Sequence, residues 1–201
     1  MKIMTRFQPL LLILCVNLVA IFAFAAEETG KEKSHKLVSV SPRKLADSLH
    51  QLLAVQQELY VRRVVQPLAI EGKKVEVSQR TMEEGKLPGH AGFLRQTAME
   101  IATQGSEFSF ALRSLWPINP SQGPQTDIEK SAMEALVHNP STNVYSEELL
   151  GGRSYFTAVY PCRASLTSCV DCHNKHAGAA RRDFKTNELM GAIVIRLPLE
   201  F

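Results

Sequence analysis

Residues 143–160 read NVYSEELLGGRSYFTAVY. Two runs of strand-forming residues, Asn143–Leu149 and Arg153–Tyr160, flank Gly151-Gly152. A two-glycine link between such runs predicts a tight hairpin, because the turns that match strand twist need positive φ at their centre. Strands joined in this way are antiparallel. Downstream, LMGAIVIRL at 189–197 reads as a final buried strand. Upstream, Phe108, Phe110 and Leu112 alternate with Ser109, Ala111 and Arg113, the period of a half-buried strand, and Trp116-Pro117-Ile118-Asn119-Pro120 stops it.

Helical signals occupy the rest. Ser41-Pro42 supplies an N-cap and a first-turn proline. From there Leu45, Leu49, Leu52, Leu53, Leu59, Tyr60 and Val64 recur at helical spacing until Pro67, which predicts one amphipathic helix with a single apolar stripe. Residues 71–90 are polar and glycine-bearing and read as a loop with at most one short turn. A second helix is predicted over Phe93–Thr103, and the capping box Thr126-Asp127-Ile128-Glu129 opens a third that runs to about His138. The order predicts an α+β domain: an antiparallel sheet, a long N-terminal helix, and a loop of about 30 residues between the last two strands. Trp116 and the Phe108/Phe110 face are expected in the core.

The N-terminus carries Lys2 and Arg6, an apolar run from Pro9 to Phe24, and then Ala23-Phe24-Ala25. This is the pattern of a secretory signal, residues 1–25, cleaved before Ala26. The competing reading is an uncleaved anchor, since about 17 apolar residues can just span a bilayer; membrane attachment is expected only in that case. EETGKEKSHK at 27–36 marks residues 26–40 as a polar linker, and residues 41–201 form the one domain. Removing Lys2 and Arg6 takes the net charge from +3 to +1, which gives no electrostatic case for nucleic acid. The expected location is periplasmic or secreted.

Export puts the cysteines in an oxidising compartment. Cys162, Cys169 and Cys172 remain after cleavage, an odd number packed too closely to staple the fold. Cys169-Val170-Asp171-Cys172-His173 has the spacing for covalent attachment of haem c. Two thiols about one turn apart can form thioethers with the porphyrin vinyl groups, and the adjoining histidine can then bind the iron. Two non-haem readings compete. Cys169 and Cys172 could be a thiol-redox pair, although no βαβ unit surrounds them. Cys162, Cys169, Cys172 and His176 could bind zinc, which would leave His173 unused.

Several separated blocks, beyond the motif itself, resemble a known family: small exported monohaem c-type domains of unknown function with a PAS-like or Cache-like fold, found alone or as extracytoplasmic parts of bacterial sensors. The blocks are Tyr60–Val65, Leu87-Pro88, Leu115–Pro120, Tyr155–Pro161, Cys169–Asn174, Arg182–Lys185 and Met190–Val194. The resemblance spans roughly residues 45–199 and implies one haem held by Cys169, Cys172 and His173. In this family a second axial ligand can come from the N-terminal helix, including as a thiolate; residues 42–66 contain no cysteine, so that thiolate is excluded.

Candidates for the sixth iron position are His50 beside the Leu49 stripe, His90 in Pro88-Gly89-His90-Ala91, and Cys162. The competing readings are an exposed helical histidine, a plain loop residue and a small surface residue. Met190 is expected in the core, and His176 is too tethered to reach the far face of the iron and is expected in solvent. Arg182, with Arg181 and Lys185, is a candidate partner for haem propionates, against a solvated basic loop. The expected role is redox sensing or electron transfer rather than enzymatic catalysis; a peroxidase would need an open sixth position and an acid–base pair. Only Glu200 and Phe201 follow Leu199, so a sensor would act through an unidentified signalling partner and a carrier through a redox partner.

Overall fold

The computed structural model describes residues 39–78 and 85–200. The predicted signal segment and most of the linker lie outside them. Among the described residues no helix is long and apolar enough to cross a membrane.

The hairpin forms as its sequence requires. Strand β4 (Val144–Leu150) pairs antiparallel with β5 (Arg153–Arg163) from Leu150 opposite Arg153 to Val144 opposite Val159. Gly151 and Gly152 turn the chain at φ 58° and 82°, a conformation that would strain any side-chain-bearing residue. The last strand, β6 (Leu189–Pro198), lies between β5 and the earlier β3 (Ser109–Arg113), so the sheet order is β3-β6-β5-β4, all antiparallel. Two further two-residue strands, β1 (Val77–Ser78) and β2 (Leu87–Pro88), pair in parallel inside the segment read as a loop.

Both faces of this sheet are covered, which explains why β6 reads as a continuous apolar run rather than an alternating one. Ile193, Ile195 and Leu197 point to one face, where they join Phe110, Ala158 and Tyr160 beneath Ala46, Leu53 and Leu94 of helices α1 (Pro42–Tyr60) and α2 (His90–Thr103). Ala192 and Val194 point to the other face and join Val159 beneath Ala132, Met133 and Leu136 of α3 (Asp127–His138). At Gly191, β6 passes tightly against the end of β3: a Cβ there would collide with the Arg113 carbonyl.

The first helix departs from its prediction in two ways. It does not stop at Pro67 but continues as a π-helix, Val61–Glu71. A proline cannot sit inside an α-helix without losing a hydrogen bond and clashing with the preceding turn, and the wider i→i+5 winding accommodates it. Its apolar residues also do not form one stripe. Ala46, Leu49 and Leu53 face the sheet, whereas Leu45, Leu52, Val55 and Leu59 are exposed. The second helix starts three residues earlier than predicted, at His90, after Gly89 in an extended N-cap conformation. Helix α3 begins as predicted, with the Glu129 amide donating to Thr126 Oγ1 at 3.1 Å.

Candidate functional site

The Cys-x-x-Cys-His residues are not in a loop. They occupy a helix, α4 (Thr167–Lys175), within the connection between β5 and β6. The periodicity hides it, because none of its residues is buried and its N-cap, Leu166, makes no side-chain cap bond. The connection is closed at its base by Ala164, fully buried, whose amide donates to the Glu188 carbonyl at 2.9 Å while its carbonyl accepts from the Asn187 amide at 2.8 Å.

Helical spacing places Cys169 one turn before Cys172 and His173. His173 Nδ1 lies 3.0 Å from the Cys169 carbonyl. A carbonyl can only accept, so the proton sits on Nδ1 and Nε2 carries the free lone pair, the arrangement of a histidine held ready for a metal. The three cysteines among the described residues, Cys162, Cys169 and Cys172, are free thiols. Cys172 is exposed, beside a groove of about 330 Å³ lined by Ile70 at the end of the π-helix and by Ser168, Asp171 and Lys175.

A second layer fixes α4 from beneath. The Asn174 side chain donates to the Phe184 carbonyl at 2.9 Å and accepts from the Phe184 amide at 3.1 Å. Phe184, almost wholly buried, meets His173 edge-on at 6.1 Å and Trp116 at 5.8 Å. The Arg181 guanidinium stacks over Phe184 and Trp116 at 4.3 and 4.9 Å while pairing with Asp183 and Glu188 at 2.7 and 2.9 Å. Trp116 therefore supports this site instead of joining either core cluster, a correction to its expected place. Asn174 and Phe184 were not recognised as site residues from the sequence; their signal was membership in the blocks around the motif.

The remaining candidates separate. Arg182 donates to the carbonyls of Ala177 and Ala179 at 2.6 and 3.3 Å, so its guanidinium holds the turn after the motif. His176 is half-buried, not in solvent, and its Nδ1 accepts from the Gly178 amide at 3.0 Å. Among the described residues no three or more His, Cys, Asp or Glu side chains are arranged to hold a metal ion, so the zinc set of Cys162, Cys169, Cys172 and His176 is not assembled. Cys162 stands at a bulge in β5 opposite Gly191, near enough to Cys169 to feel its charge; burial first, and that charge second, push its thiol up to about 11. Although the Cys172 residue is exposed, partial desolvation of its sulfur by the surrounding chain, and then the Cys169 charge, raise its thiol above the ordinary range.

His50 is neither exposed nor aimed at α4. It stacks flat on Tyr160 at 3.9 Å and 4°, beside Asp47, whose carboxylate accepts from Tyr160 and Tyr145 at 2.8 and 2.7 Å. His90 is the first residue of α2 and is half-buried. Burial, and then the charge His173 can carry, lower its pKa from 6.5 to about 4. His173 and His50 are lowered too, chiefly by burial.

These shifts have a stability consequence in the haem-free protein. Between 6.5 and about 4 the unfolded chain binds a proton at residue 90 that the folded chain does not, so the stabilisation is complete above 6.5 and is lost as pH falls toward 4. The urea midpoint of the haem-free protein is expected to be lower at about pH 5 than at about pH 7.5. His90→Gln should flatten that slope, and equal midpoints at the two pH values would contradict the burial of these imidazoles.

The family profile of Tll0287-like proteins matches residues 35–198, nearly the whole described domain. The chain belongs to the Tll0287-like family. Among solved structures it is similar to one titled the crystal structure of the cyanobacterial haem protein Tll0287, at 16% identity and a TM-score of 0.49, covering 80% of this chain and 98% of that one. No curated protein sequence matches significantly. Membership of the Tll0287-like family bears out the resemblance carried by the separated blocks, and the fold is the expected α+β arrangement with an N-terminal helix and an antiparallel sheet.

Proposed function

We propose that this protein is an exported monohaem c-type protein that binds haem through thioethers to Cys169 and Cys172, uses His173 as an axial iron ligand, and serves redox sensing or electron transfer with a protein partner. The observation that carries the reading is the His173 Nδ1 contact to the Cys169 carbonyl, on a helix that presents both thiols one turn apart. It leaves Nε2 as the only metal-binding nitrogen and fixes the ring relative to the anchors. A relative in the same family is titled a haem protein, which supports the same cofactor here.

Bound haem would supply an iron that alternates between ferrous and ferric states. The chain's part is to anchor and orient. Asn174 locks α4 to Phe184, and Phe184 and Trp116 form an apolar wall beside His173. The thiol-redox alternative is weaker, because the helix that carries Cys169 and Cys172 links two antiparallel strands rather than opening a βαβ unit.

The test is the full chain produced together with c-type haem maturation machinery. The expected result is a coloured protein that keeps its haem through acidified-solvent extraction and gives a pyridine haemochrome of one haem per chain. A colourless protein with Cys169 and Cys172 joined as a disulfide would overturn the proposal.

A further inference from the structure

We infer that Ile70, at the end of the π-helix, is the outer wall of the haem site: it packs on the porphyrin edge joined to Cys172 and keeps water from it. The inference rests on the haem reading above and adds a cofactor-contacting residue from outside the Cys-x-x-Cys-His motif. The groove beside Cys172 has two sides. One is the face of α4 that carries Ser168, Asp171, Cys172 and Lys175 at helical spacing, with His176 just beyond it, and the other is Ile70. A group attached to Cys172 has to lie in or against this groove, because a thioether joins the sulfur directly to a side chain of the ring. The α4 face is polar. Asp171 and Lys175 pair at 4.0 Å and are both exposed, a contact worth little and easily displaced. Of the residues lining the groove, Ile70 alone has an all-carbon side chain, and it is 47% exposed. An apolar ring edge held there gains by covering it.

Ile70 owes its place to the π-helix, and both walls of the groove are firmly set. Val65 is buried, and the helix end is closed by the Gly72 amide donating to the Pro67 carbonyl at 3.1 Å and the Lys74 amide donating to the Leu68 carbonyl at 2.8 Å. A Cβ at Gly72 would collide with the Pro67 carbonyl, so this closure requires glycine. The wider i→i+5 winding that admits Pro67 also changes the direction in which each later side chain leaves the axis, and it is this winding that turns Ile70 toward Cys172. The opposite wall is fixed by Asn174, which locks α4 to Phe184. Water excluded from the ring edge lowers the polarity around the iron. Ferric haem carries one more positive charge than ferrous haem and is the form disfavoured there, so Ile70 holds the reduction potential up.

The test compares the haem-loaded full chain with Ile70→Val, Ile70→Ser and Leu52→Ser, the last replacing an exposed leucine of α1 that does not line the groove. In the diamagnetic ferrous state of the wild type, with carbon monoxide added where the iron is otherwise high-spin, the Ile70 methyl resonances are expected to be displaced by ring current from their haem-free positions. They should also give nuclear Overhauser cross-peaks to the thioether substituent at Cys172. Ile70→Ser should keep covalent haem but lower the reduction potential, whereas Ile70→Val and Leu52→Ser should stay close to wild type. Ile70 methyls that do not move and give no cross-peaks, or an Ile70→Ser potential equal to wild type, would overturn the Ile70 assignment alone. A wild type without covalent haem would overturn the underlying reading and this one with it.

Discussion

Replacing Glu129 with alanine is expected to cost about 3–5 kcal/mol of folding stability, a fifth or more of the roughly 5–15 kcal/mol that a domain usually possesses. Glu129 is completely buried on the inner face of α3. Its carboxylate takes Arg196 of β6 at 2.7 Å and Arg113 of β3 at 3.5 Å, and also accepts from the Gln125 amide. Arg196 reaches on to Glu148 of β4 at 2.7 Å, and Glu148 accepts from Thr157. One acidic side chain thus ties α3 to two strands and, through Arg196, to a third. Burial alone would raise the Glu148 pKa, but the bonds from Thr157 and Arg196 outweigh it and hold it low. Burial alone would lower the Arg196 pKa, and the two carboxylates outweigh it and hold it up. Removing Glu129 leaves the largely buried Arg113 guanidinium without a carboxylate and Arg196 with Glu148 alone, and that undercompensated charge is the source of the cost. Urea unfolding of Glu129→Ala beside Glu129→Gln reads it directly: the glutamine keeps the volume and one acceptor oxygen but neither the charge nor the second acceptor, and should fall between alanine and wild type. A loss below about 1 kcal/mol in the alanine variant would mean that the network is ornamental.

This network also shows how far local reasoning reaches. Thr126 to Glu129 was legible as a capping box, and its first half holds, because an N-cap is decided by four consecutive residues. The second half goes elsewhere: the Glu129 carboxylate bonds one residue earlier, at Gln125, and to arginines distant in sequence. The hairpin, the β6 run and the β3 alternation were legible for the same local reason, as turn chemistry and side-chain period are set within a few residues. Pro67 misled because proline normally ends an α-helix, and a π-helix removes the conflict without a sequence signal of its own. Helix α4 was hidden because it buries nothing, so it has no apolar period to read. Cys169, Cys172 and His173 were legible from their spacing, since the chemistry itself demands it. The support of His173 by Phe184 and Trp116 was not, because it depends on how the β5–β6 connection folds back.

Replacing Cys169 and Cys172 together with serine is expected to abolish covalent haem completely while leaving the polypeptide folded. The two halves of that expectation come from different parts of the structure. Attachment is lost because a hydroxyl does not form the thioether, and because no third thiol has the right spacing: Cys162 lies in β5, outside α4. The fold survives because α4 contributes no buried residue, and neither thiol belongs to the core clusters on the two sheet faces. The helix is held instead by Asn174 and Phe184, which the substitutions leave intact. The unfolding free energy of the haem-free double variant should therefore stay within about 0.5 kcal/mol of haem-free wild type, and its extracted protein should give no haemochrome. Each single serine variant should keep one thioether and one conjugated vinyl group, moving the haemochrome band to longer wavelength. Covalent haem surviving in the double variant would remove Cys169 and Cys172 as its anchors, and collapse of the haem-free protein would show that α4 is part of the scaffold after all.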